Sequence, residues 1–398
     1  MQVIKSLHRM LRTRCPAIHA SRLNALMTNV ESLTLGQKLT VTGLGRHSRR
    51  STSRKHAIKQ SDRLVNNPHL GTEQFQLYRA VAQGLLGKAT RPLITVDWSD
   101  YTYDRVWIFL RASTPVGGRA LTLYEEVHPL RCYGNAAIQQ RFLRTLSELL
   151  PNGLRPILVT DAGFIGPWFR EVTTLGWDYV GRIRQNLLYQ DAVQPEWQRC
   201  RSLYPQAIRQ PHYYGRIQLA KRAPLSCHLH LYHEPPKGRH KRTPAGKRSQ
   251  RKVSRANAVR ETSPWLVVTS LAPERYPATM IMHLYRTRMQ IEQAFRDIKN
   301  TRSGFCLRQT RSRSAQRLAN LLLIGMLASL VLWLVGRMAE QQKQHYQYQA
   351  NSLKQRRVLS LFFLGQECLK QVQFTWRAHY FNQALQLLHS DMKQQIYP

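Results

Sequence analysis

The sequence predicts an α/β fold in which a mixed sheet is flanked by helices, with helical regions before and after it. Two strand-like runs that each end in an aspartate, at 92–97 and 156–161, are separated by a helical pattern at 136–150. The chain of 398 residues is long enough for two or three domains, and its hydrophobic content of 42% is that of a globular protein.

The individual elements follow from apolar spacing and turn residues along the chain. Residues 1–88 are predicted to be helical because Leu23, Leu26 and Met27 recur at helical spacing, and Gly117-Gly118 predicts a turn between two strands. The elements after residue 88 are predicted as strands at 92–97, 105–112 and 119–128, a helix at 136–150, a strand at 156–161, a helix at 165–175, strands at 178–184 and 265–271, a long helix at 277–300 and further helices over 310–398.

The order β-β-β-α-β-α-β over the first part of the sheet region is that of an RNase H-like core. In that arrangement a crossover helix brings the fourth strand beside the first and parallel to it. Asp97 and Asp161 would then end adjacent strands at the same edge of the sheet.

The charge of the chain predicts a polyanionic partner. Its 60 Lys and Arg residues against 22 Asp and Glu give a net charge of +38, far more than solubility requires. Nucleic acid is the partner that we expect. An anionic membrane surface or a ribosomal location would also recruit Lys and Arg, although a large folded core rich in Trp and Tyr is unusual for a ribosomal protein.

Cysteine usage and hydropathy argue against several other classes. The six cysteines form no CxxC pair and no even framework, so neither a zinc ribbon nor a disulfide scaffold is indicated, and a reducing cytoplasm fits. Cys227, His228, His230 and His233 could ligate a metal, but alternation along a short strand produces the same pattern. We expect no export signal, and the apolar stretch at 321–335 is short for a bilayer span, so a buried core helix is expected rather than a single-pass anchor.

Two basic segments predict DNA contact. The first lies between positions 46 and 59, holds no acidic residue and resembles a phosphate-binding surface, with a solvated charge run as the alternative. Its cations are Arg46, Arg49, Arg50, Arg54, Lys55 and Lys59. The second, at 237–260, has ten Lys or Arg and no acid, and its Pro, Gly and Ser content predicts a loop that becomes ordered on nucleic acid.

Four polar residues share one face of the predicted helix at 277–300. Tyr285, Arg288, Glu292 and Lys299 follow one another at steps of three, four and seven, which places them within an arc of about 60°. A neighbouring apolar stripe would pack this helix on the sheet, with Glu292 directed towards the two aspartates.

Asp97, Asp161 and Glu292 together predict a two-metal site. Three carboxylates repel one another unless cations lie between them, and hard oxygen ligands select Mg²⁺ or Mn²⁺. Two such ions can flank a scissile phosphate, while Arg288 and Lys299 engage phosphate oxygens and Tyr285 is a further DNA-binding candidate. Singly, each acid has an ordinary alternative: a strand-ending Asp can be a turn residue, Asp100 and Asp104 lie close by, and a Glu beside Arg is often a surface ion pair.

These residues carry a resemblance to a known family. The spacing Tyr-x2-Arg-x3-Glu-x6-Lys, together with VDWSD at 96–100, TDAGF at 160–164 and RMQIEQAFRDIK at 288–299, resembles the DDE transposases of bacterial insertion sequences. The similarity is to the cut-and-paste group that includes the transposase of the composite tetracycline-resistance transposon. It extends over nearly the whole chain.

The resemblance implies an enzyme that nicks the transposon end, forms and resolves a DNA hairpin, and joins 3′ ends to target DNA. It implies two Mg²⁺ ions, for which Mn²⁺ can substitute, a homodimer that pairs two inverted-repeat ends in a synaptic complex, and a nucleoid-associated protein of the bacterial cytoplasm with no membrane partner. Trp265 is the candidate for stacking on a flipped base, with a plain core tryptophan as the alternative. Some relatives carry a second Trp where this chain has Met289.

The chain is therefore predicted to have five segments. They are a helical domain at 1–88 that grips the transposon end, with Arg63 as a further DNA-binding candidate, the first part of the core at 89–185, a strand-bearing basic insert at 186–264, the second part of the core at 265–310, and a helical region at 311–398 for dimerisation or DNA contact. Two competing functions are a metal-dependent nuclease that never joins DNA and a DNA-binding regulator on an inactive core.

Overall fold

The α/β class that the sequence predicts is confirmed by the computed structural model. It describes residues 1–398 except 88, 102–105, 236–242, 244–246, 253, 256–261, 351, 354, 372–374 and 397–398. The chain forms two compact units: unit 1 comprises Met1–Pro156 and Thr287–Pro398, and unit 2 comprises Ile157–Arg286. The predicted five-segment division stays a prediction.

The elements are numbered in chain order. The helices are α1 Gln2–Arg14, α2 Ala20–Gly36, α3 Val41–Arg46, α4 Arg54–Val65, α5 Pro68–Leu86, α6 Ala136–Leu149, α7 Gly166–Thr174, α8 Ala278–Arg286, α9 Met289–Lys299, α10 Ala315–Gln341, α11 Leu361–Lys370 and α12 Tyr380–Gln394. The strands are β1 Leu93–Asp100, β2 Trp107–Val116, β3 Arg119–Pro129, β4 Ile157–Thr160, β5 Asp178–Arg182, β6 Leu188–Gln190, β7 Gln198–Arg199, β8 His212–Leu219, β9 Leu225–Tyr232 and β10 Trp265–Thr269.

The N-terminal helices of unit 1 begin at side chains that cap them. Thr40 accepts a hydrogen bond from the backbone of Gly43 at the start of α3, and Ser53 accepts one from His56 at the start of α4. Gly45 of α3 lies directly against Ile58 of α4, where a Cβ would collide with its backbone. Glycine thus allows the short helix to pack against the longer one.

Strands β1, β2 and β3 form the predicted antiparallel meander in unit 1. Gly117 and Gly118 join β2 to β3 with φ values of 54° and 84°, which is the two-residue turn that glycine favours. The prediction that β1 ends at Asp97 was wrong. The strand continues to Asp100, and Asp97 is paired with Arg111 inside the ladder, because hydrogen-bonded pairing with β2 persists past the acid.

Helix α10 is the core helix of unit 1. Within the described part of the chain it is long and apolar enough to cross a membrane, and 89% of its most apolar window is buried inside the protein. Asn320, which is fully buried, donates to the backbone of Val65 and accepts from Gln74 at 2.7 Å, so polar contacts tie α10 to the N-terminal helices. This burial agrees with the core helix expected from the sequence.

Unit 2 contains the strand that directly precedes Asp161, together with the insert. Strands β4 and β5 are parallel and are connected by α7, and the strand order in this unit is β4-β5-β10-β9-β8-β6-β7. The insert contributes β6 to β9, as predicted. Of the basic segment at 237–260, residues 237–242, 244–246, 253 and 256–260 lie outside the described residues.

The predicted single helix at 277–300 is two helices, so this prediction was wrong. Helix α8 ends at Arg286 and α9 starts at Met289, and the boundary between the two units falls between them. The intervening turn is tightened by bonds from Gln290 to Thr287 and from Ile291 to Arg288, three residues apart. This turn contains no Pro or Gly, so the apolar periodicity of the sequence does not reveal the break. Tyr285 lies on α8, whereas Arg288 precedes α9 and Glu292 and Lys299 lie on it, so the shared helical arc predicted for the four residues does not include Tyr285.

Candidate active site

Asp97 projects from β1 of unit 1 and is held by two donors. Its Oδ1 accepts a hydrogen bond from the backbone N–H of Trp98 at 2.8 Å, and its Oδ2 lies 3.3 Å from a guanidinium nitrogen of Arg288. The side chain is only 14% exposed. Each oxygen of this carboxylate therefore accepts from a donor, one from the backbone and one from a side chain.

Glu292 lies in the first turn of α9, where the helix dipole favours an acid. Its Oε1 accepts a hydrogen bond from Arg288 at 2.6 Å, and its side chain is 41% exposed. Arg288 is itself the residue that precedes α9. One guanidinium therefore joins Asp97 and Glu292, which are almost two hundred residues apart in the chain.

Asp97 and Glu292, two of the predicted ligands, therefore have one cationic partner in common. The guanidinium contacts both carboxylates and offsets the repulsion between their charges, as a metal ion bound to both would. Carboxylate oxygens are the donors that Mg²⁺ and Mn²⁺ prefer. The donor set therefore fits a hard divalent cation. Among the described residues, no group of three or more His, Cys, Asp or Glu side chains is arranged to hold a metal ion.

Asp161 directly follows β4 in unit 2, as the sequence predicts. Its Oδ1 accepts a hydrogen bond from the backbone N–H of Gly163 at 2.8 Å, which fixes the turn before α7. The side chain is half-buried. Because it belongs to the other unit, its approach to Asp97 and Glu292 stays a prediction.

Lys299, at the end of α9, is directed to β1 rather than to Glu292. Its ammonium donates to Ser99 at 2.6 Å, lies 3.6 Å from Asp100 and sits over the rings of Phe109 and Phe295. Burial lowers the pKa of Lys299 to about 8, although the charge of Asp100 acts in the opposite direction. Asp100 is also bound by Arg308 at 2.9 Å. Asp104 lies outside the described residues.

Tyr285 and Trp265 contact each other within unit 2. Their ring centroids are 5.0 Å apart in an edge-to-face arrangement, and Tyr285 is only 5% exposed. Trp265 also packs on Tyr232 and lies 5.9 Å from the guanidinium of Arg182. Sequence reasoning did not select Arg182, because only the strand register, which pairs it with Val267, places it beside Trp265.

The predicted basic run forms an exposed surface on α3, α4 and the loop between them. Every cation named for it is exposed, namely Arg46, Arg49, Arg50, Arg54, Lys55, Lys59 and Arg63. The acids of the N-terminal helices do not neutralise this surface, since Glu31 pairs with the N-terminal amine, Glu73 with Arg22 and Asp62 with Arg317.

A groove between α2 and α4 adjoins this surface. It has a volume of about 320 Å³, and its lining includes the hydroxyl, amide and guanidinium groups of Thr28, Asn29, Arg50, Gln60 and Arg63. Arg50 donates to Thr28 at 3.1 Å. Side chains of these types are common partners of DNA phosphates.

Comparisons with known proteins agree with a DNA-processing α/β protein. The architecture is consistent with an RNase H-like transposase fold. The family model described as the transposase DDE domain matches residues 122–331, more than half of the chain, and the chain belongs to this family. The match includes Asp161 and Glu292 and begins after Asp97.

No curated protein matches the sequence. Among solved structures, the chain is similar to piggyBac transposase in a cryo-EM structure of its synaptic complex with hairpin DNA. The sequence identity is 10% and the TM-score is 0.39, over 100% of this chain and 80% of that chain. Membership of the family makes this chain a transposase that binds DNA, and DDE transposase domains generally use divalent metal ions.

Proposed function

We propose that this chain is a cut-and-paste transposase of the insertion-sequence group marked by the Tyr-Arg-Glu-Lys signature, to which the transposase of the composite tetracycline-resistance transposon belongs. It binds terminal inverted repeats, excises the element through a hairpin and joins the 3′ ends to target DNA. The observation that carries the proposal is the convergence of Asp97 and Glu292 on one cationic group, in a chain of this family.

In this proposal Asp97, Asp161 and Glu292 hold two Mg²⁺ ions, for which Mn²⁺ can substitute. When bound, these ions would activate water or a 3′-hydroxyl and stabilise the leaving oxygen at the scissile phosphate. The shared contact of Asp97 and Glu292 with the Arg288 guanidinium supports the assignment, because it brings two of the three carboxylates together around one positive charge.

The cations and aromatic residues around these acids would position the DNA. Arg288 would exchange its carboxylate partners for phosphate oxygens as a bidentate fork, and Lys299, held beside Ser99 and Asp100 of β1, would contribute a positive charge. Trp265 would stack on a flipped base, with Tyr285 packed edge-to-face against its ring. The closeness of Arg182 to Trp265 supports this role, since a cation there would attract the flanking phosphate.

The N-terminal helices would hold the transposon end. Their exposed cations are Arg49, Arg50, Arg54, Lys55, Lys59 and Arg63, and pairing of their acids elsewhere in unit 1 leaves a strongly positive surface. Two such chains would pair two ends as a homodimer in the synaptic complex. The protein would act on the nucleoid in the bacterial cytoplasm.

The test is a cleavage assay on a labelled duplex that carries the element's own terminal repeat, with Mg²⁺ or with EDTA. We expect metal-dependent nicks and hairpins at the repeat boundary from the wild type and none from Asp97→Asn, Asp161→Asn or Glu292→Gln. Glu196→Gln, at an exposed acid of the insert, is the matched control and should cleave normally. Cleavage without joining to added target DNA would favour a nuclease, and binding without cleavage by the wild type would favour a regulator.

A further inference from the structure

The groove between α2 and α4 is an open polar recess rather than a closed helix interface. Its volume of about 320 Å³ lies at the lower end of the range for sites that hold small ligands. Small side chains keep it open, since Ala25 of α2 and Ala57 of α4 both line it. The lining consists of described residues and contains no Asp or Glu. An anionic group can therefore enter the groove without meeting a negative side chain.

Two arginines lie at the rim of the groove. Arg50 and Arg63 line it, and both are exposed. Arg50 donates to Thr28 of α2 at 3.1 Å, whereas Arg63 forms no ion pair with any described residue. Arg22, the third arginine of the lining, is already neutralised by Glu73. Because a guanidinium binds phosphate oxygens through several donors at once, the rim fits a phosphate group.

The floor of the groove holds a buried acceptor without a partner. Asn29 of α2 is 5% exposed, and its Oδ1 accepts no hydrogen bond from any described residue. Its Nδ2 donates to the backbone carbonyl of Ala25 at 2.8 Å, which distinguishes the nitrogen of the amide from its oxygen. Nδ2 keeps a second hydrogen for a further acceptor. An unpaired buried acceptor costs stability, so a ligand that donates a hydrogen bond to Oδ1 is favoured.

The amide of Asn29 matches the edge of one particular base. An acceptor and a donor side by side pair with the N6 amino group and N7 of adenine. Guanine presents two acceptors on the same edge, and thymine presents an acceptor beside a methyl group, so both would leave Oδ1 unpaired. The groove therefore fits a ligand that carries a phosphate at one end and adenine at the other.

The shape of the groove restricts the state of that base. In duplex DNA the base edges lie inside the DNA grooves, where a protruding helix or β-ribbon reaches them. A recess between two helices has the opposite shape, and it admits a base only after that base has left the stack. The ligand that fits is thus a single unpaired nucleotide and not a base pair.

We propose that the groove between α2 and α4 binds one unpaired adenine nucleotide, with its phosphate between Arg50 and Arg63 and its base paired to the amide of Asn29. The nucleotide is either part of a DNA strand or free in solution. This site goes beyond the proposed function, because it lies in the N-terminal helices, contains none of the acids assigned to metal binding and requires no cleavage.

The experiment measures the affinity of the full-length protein for dAMP, dGMP and dTMP by isothermal titration calorimetry. We expect the wild type to bind dAMP about tenfold more tightly than the other two, which is the discrimination of one bidentate base contact. Asn29→Ala should bind all three with similar affinity, and α2 should persist because Ala is the best helix former. Arg63→Gln should weaken the binding of all three by a similar factor, because it removes a phosphate contact.

Two variants outside the groove are matched controls. Asn24→Ala, at an exposed position of α2, and Arg9→Gln, at an exposed position of α1, should bind the nucleotides as the wild type does. Ala25→Phe, which fills the groove and keeps its polar groups, should abolish the preference for dAMP. Equal affinity of the wild type for the three nucleotides would overturn the proposal, as would a preference for dAMP that persists in both Asn29→Ala and Ala25→Phe.

Labelled single strands distinguish the two sources of the nucleotide. Fluorescence anisotropy compares a pentanucleotide of thymidines that has a central adenine with one of thymidines only. A preference for the adenine-bearing strand that Asn29→Ala loses would assign the site to a DNA strand, and a preference seen only with dAMP would assign it to a free nucleotide. Because no step involves cleavage, missing preference refutes this site alone, and missing metal-dependent nicks refute the proposed function alone.

Discussion

Arg288 donates a hydrogen bond to Glu292, one turn further along α9, with a nitrogen–oxygen distance of 2.6 Å. The same guanidinium reaches Asp97 at 3.3 Å. Arginine is always charged and has several donors in a rigid fork, so it can neutralise two carboxylates at once. The acids that we assign to metal binding are thus also the partners of an arginine that we assign to phosphate.

The first prediction concerns this competition. Arg288→Gln should bind Mn²⁺ about tenfold more tightly than the wild type in the absence of DNA, because charge-assisted hydrogen bonds to the two carboxylates no longer oppose the ion. Isothermal titration calorimetry measures the difference. Arg296→Gln, on an exposed position of the same helix, should leave the affinity unchanged. Equal Mn²⁺ affinity in the wild type and in Arg288→Gln would show that Arg288 does not compete with the ion for the two carboxylates.

A second prediction concerns the buried ion pair beneath the site. Arg111 binds Glu125 at 2.6 Å, and both side chains are 1% exposed. Glu125→Ala should lower the free energy of unfolding by about 3–5 kcal/mol, because it leaves an uncompensated charge in the core. The double variant Arg111→Met/Glu125→Leu should recover much of that loss. Urea denaturation measures all three proteins, and a double variant no more stable than Glu125→Ala would contradict the reasoning.

The pH dependence of stability provides a third prediction. His230 is fully buried in unit 2, and burial, with smaller effects of His228 and His212, lowers its pKa to about 4. The unfolded chain takes up this proton near pH 6.5. Between pH 6.5 and 4 the unfolded state therefore binds more protons, and the free energy of unfolding falls as the pH falls, by roughly 3 kcal/mol in total.

His230→Leu should remove that part of the acid sensitivity, as measured by urea denaturation at pH 7 and pH 4.5. His379→Leu, at an exposed histidine, should retain the wild-type slope. If His230→Leu loses as much stability on acidification as the wild type, another group is responsible.

The fourth prediction concerns the close packing of α10 against α11. A Cβ at Gly365 would collide with the backbone carbonyl of Leu332, so Gly365→Ala should destabilise the protein by about 1–3 kcal/mol. Gly84→Ala in α5 is the matched control, because its Cβ would meet only the sulfur of Met10 at 3.6 Å. There the substitution should be neutral or stabilise by up to about 1 kcal/mol. Thermal unfolding compares the two, and equal stabilities would refute the packing argument.

Much of the fold could be predicted because its signals are local. The alternation of apolar residues in the meander, the turn at Gly117 and Gly118, and the strand that ends just before Asp161 all appeared where expected. The end of β1 was misplaced because an acid inside a paired strand looks the same in sequence as an acid after it. The break before Met289 was missed because a short turn without Pro or Gly leaves helical periodicity intact.

The sequence by itself determined the α/β class, the order of the elements, the excess positive charge and the candidate acids, because these depend on composition and on periodicity over a few residues. Tertiary structure alone decided that Arg288 joins Asp97 to Glu292 and that Lys299 turns to Asp100 in a buried position. These contacts depend on how distant segments pair in the sheet and pack against it. Local spacing in the sequence encodes neither the strand register nor the placement of the helix.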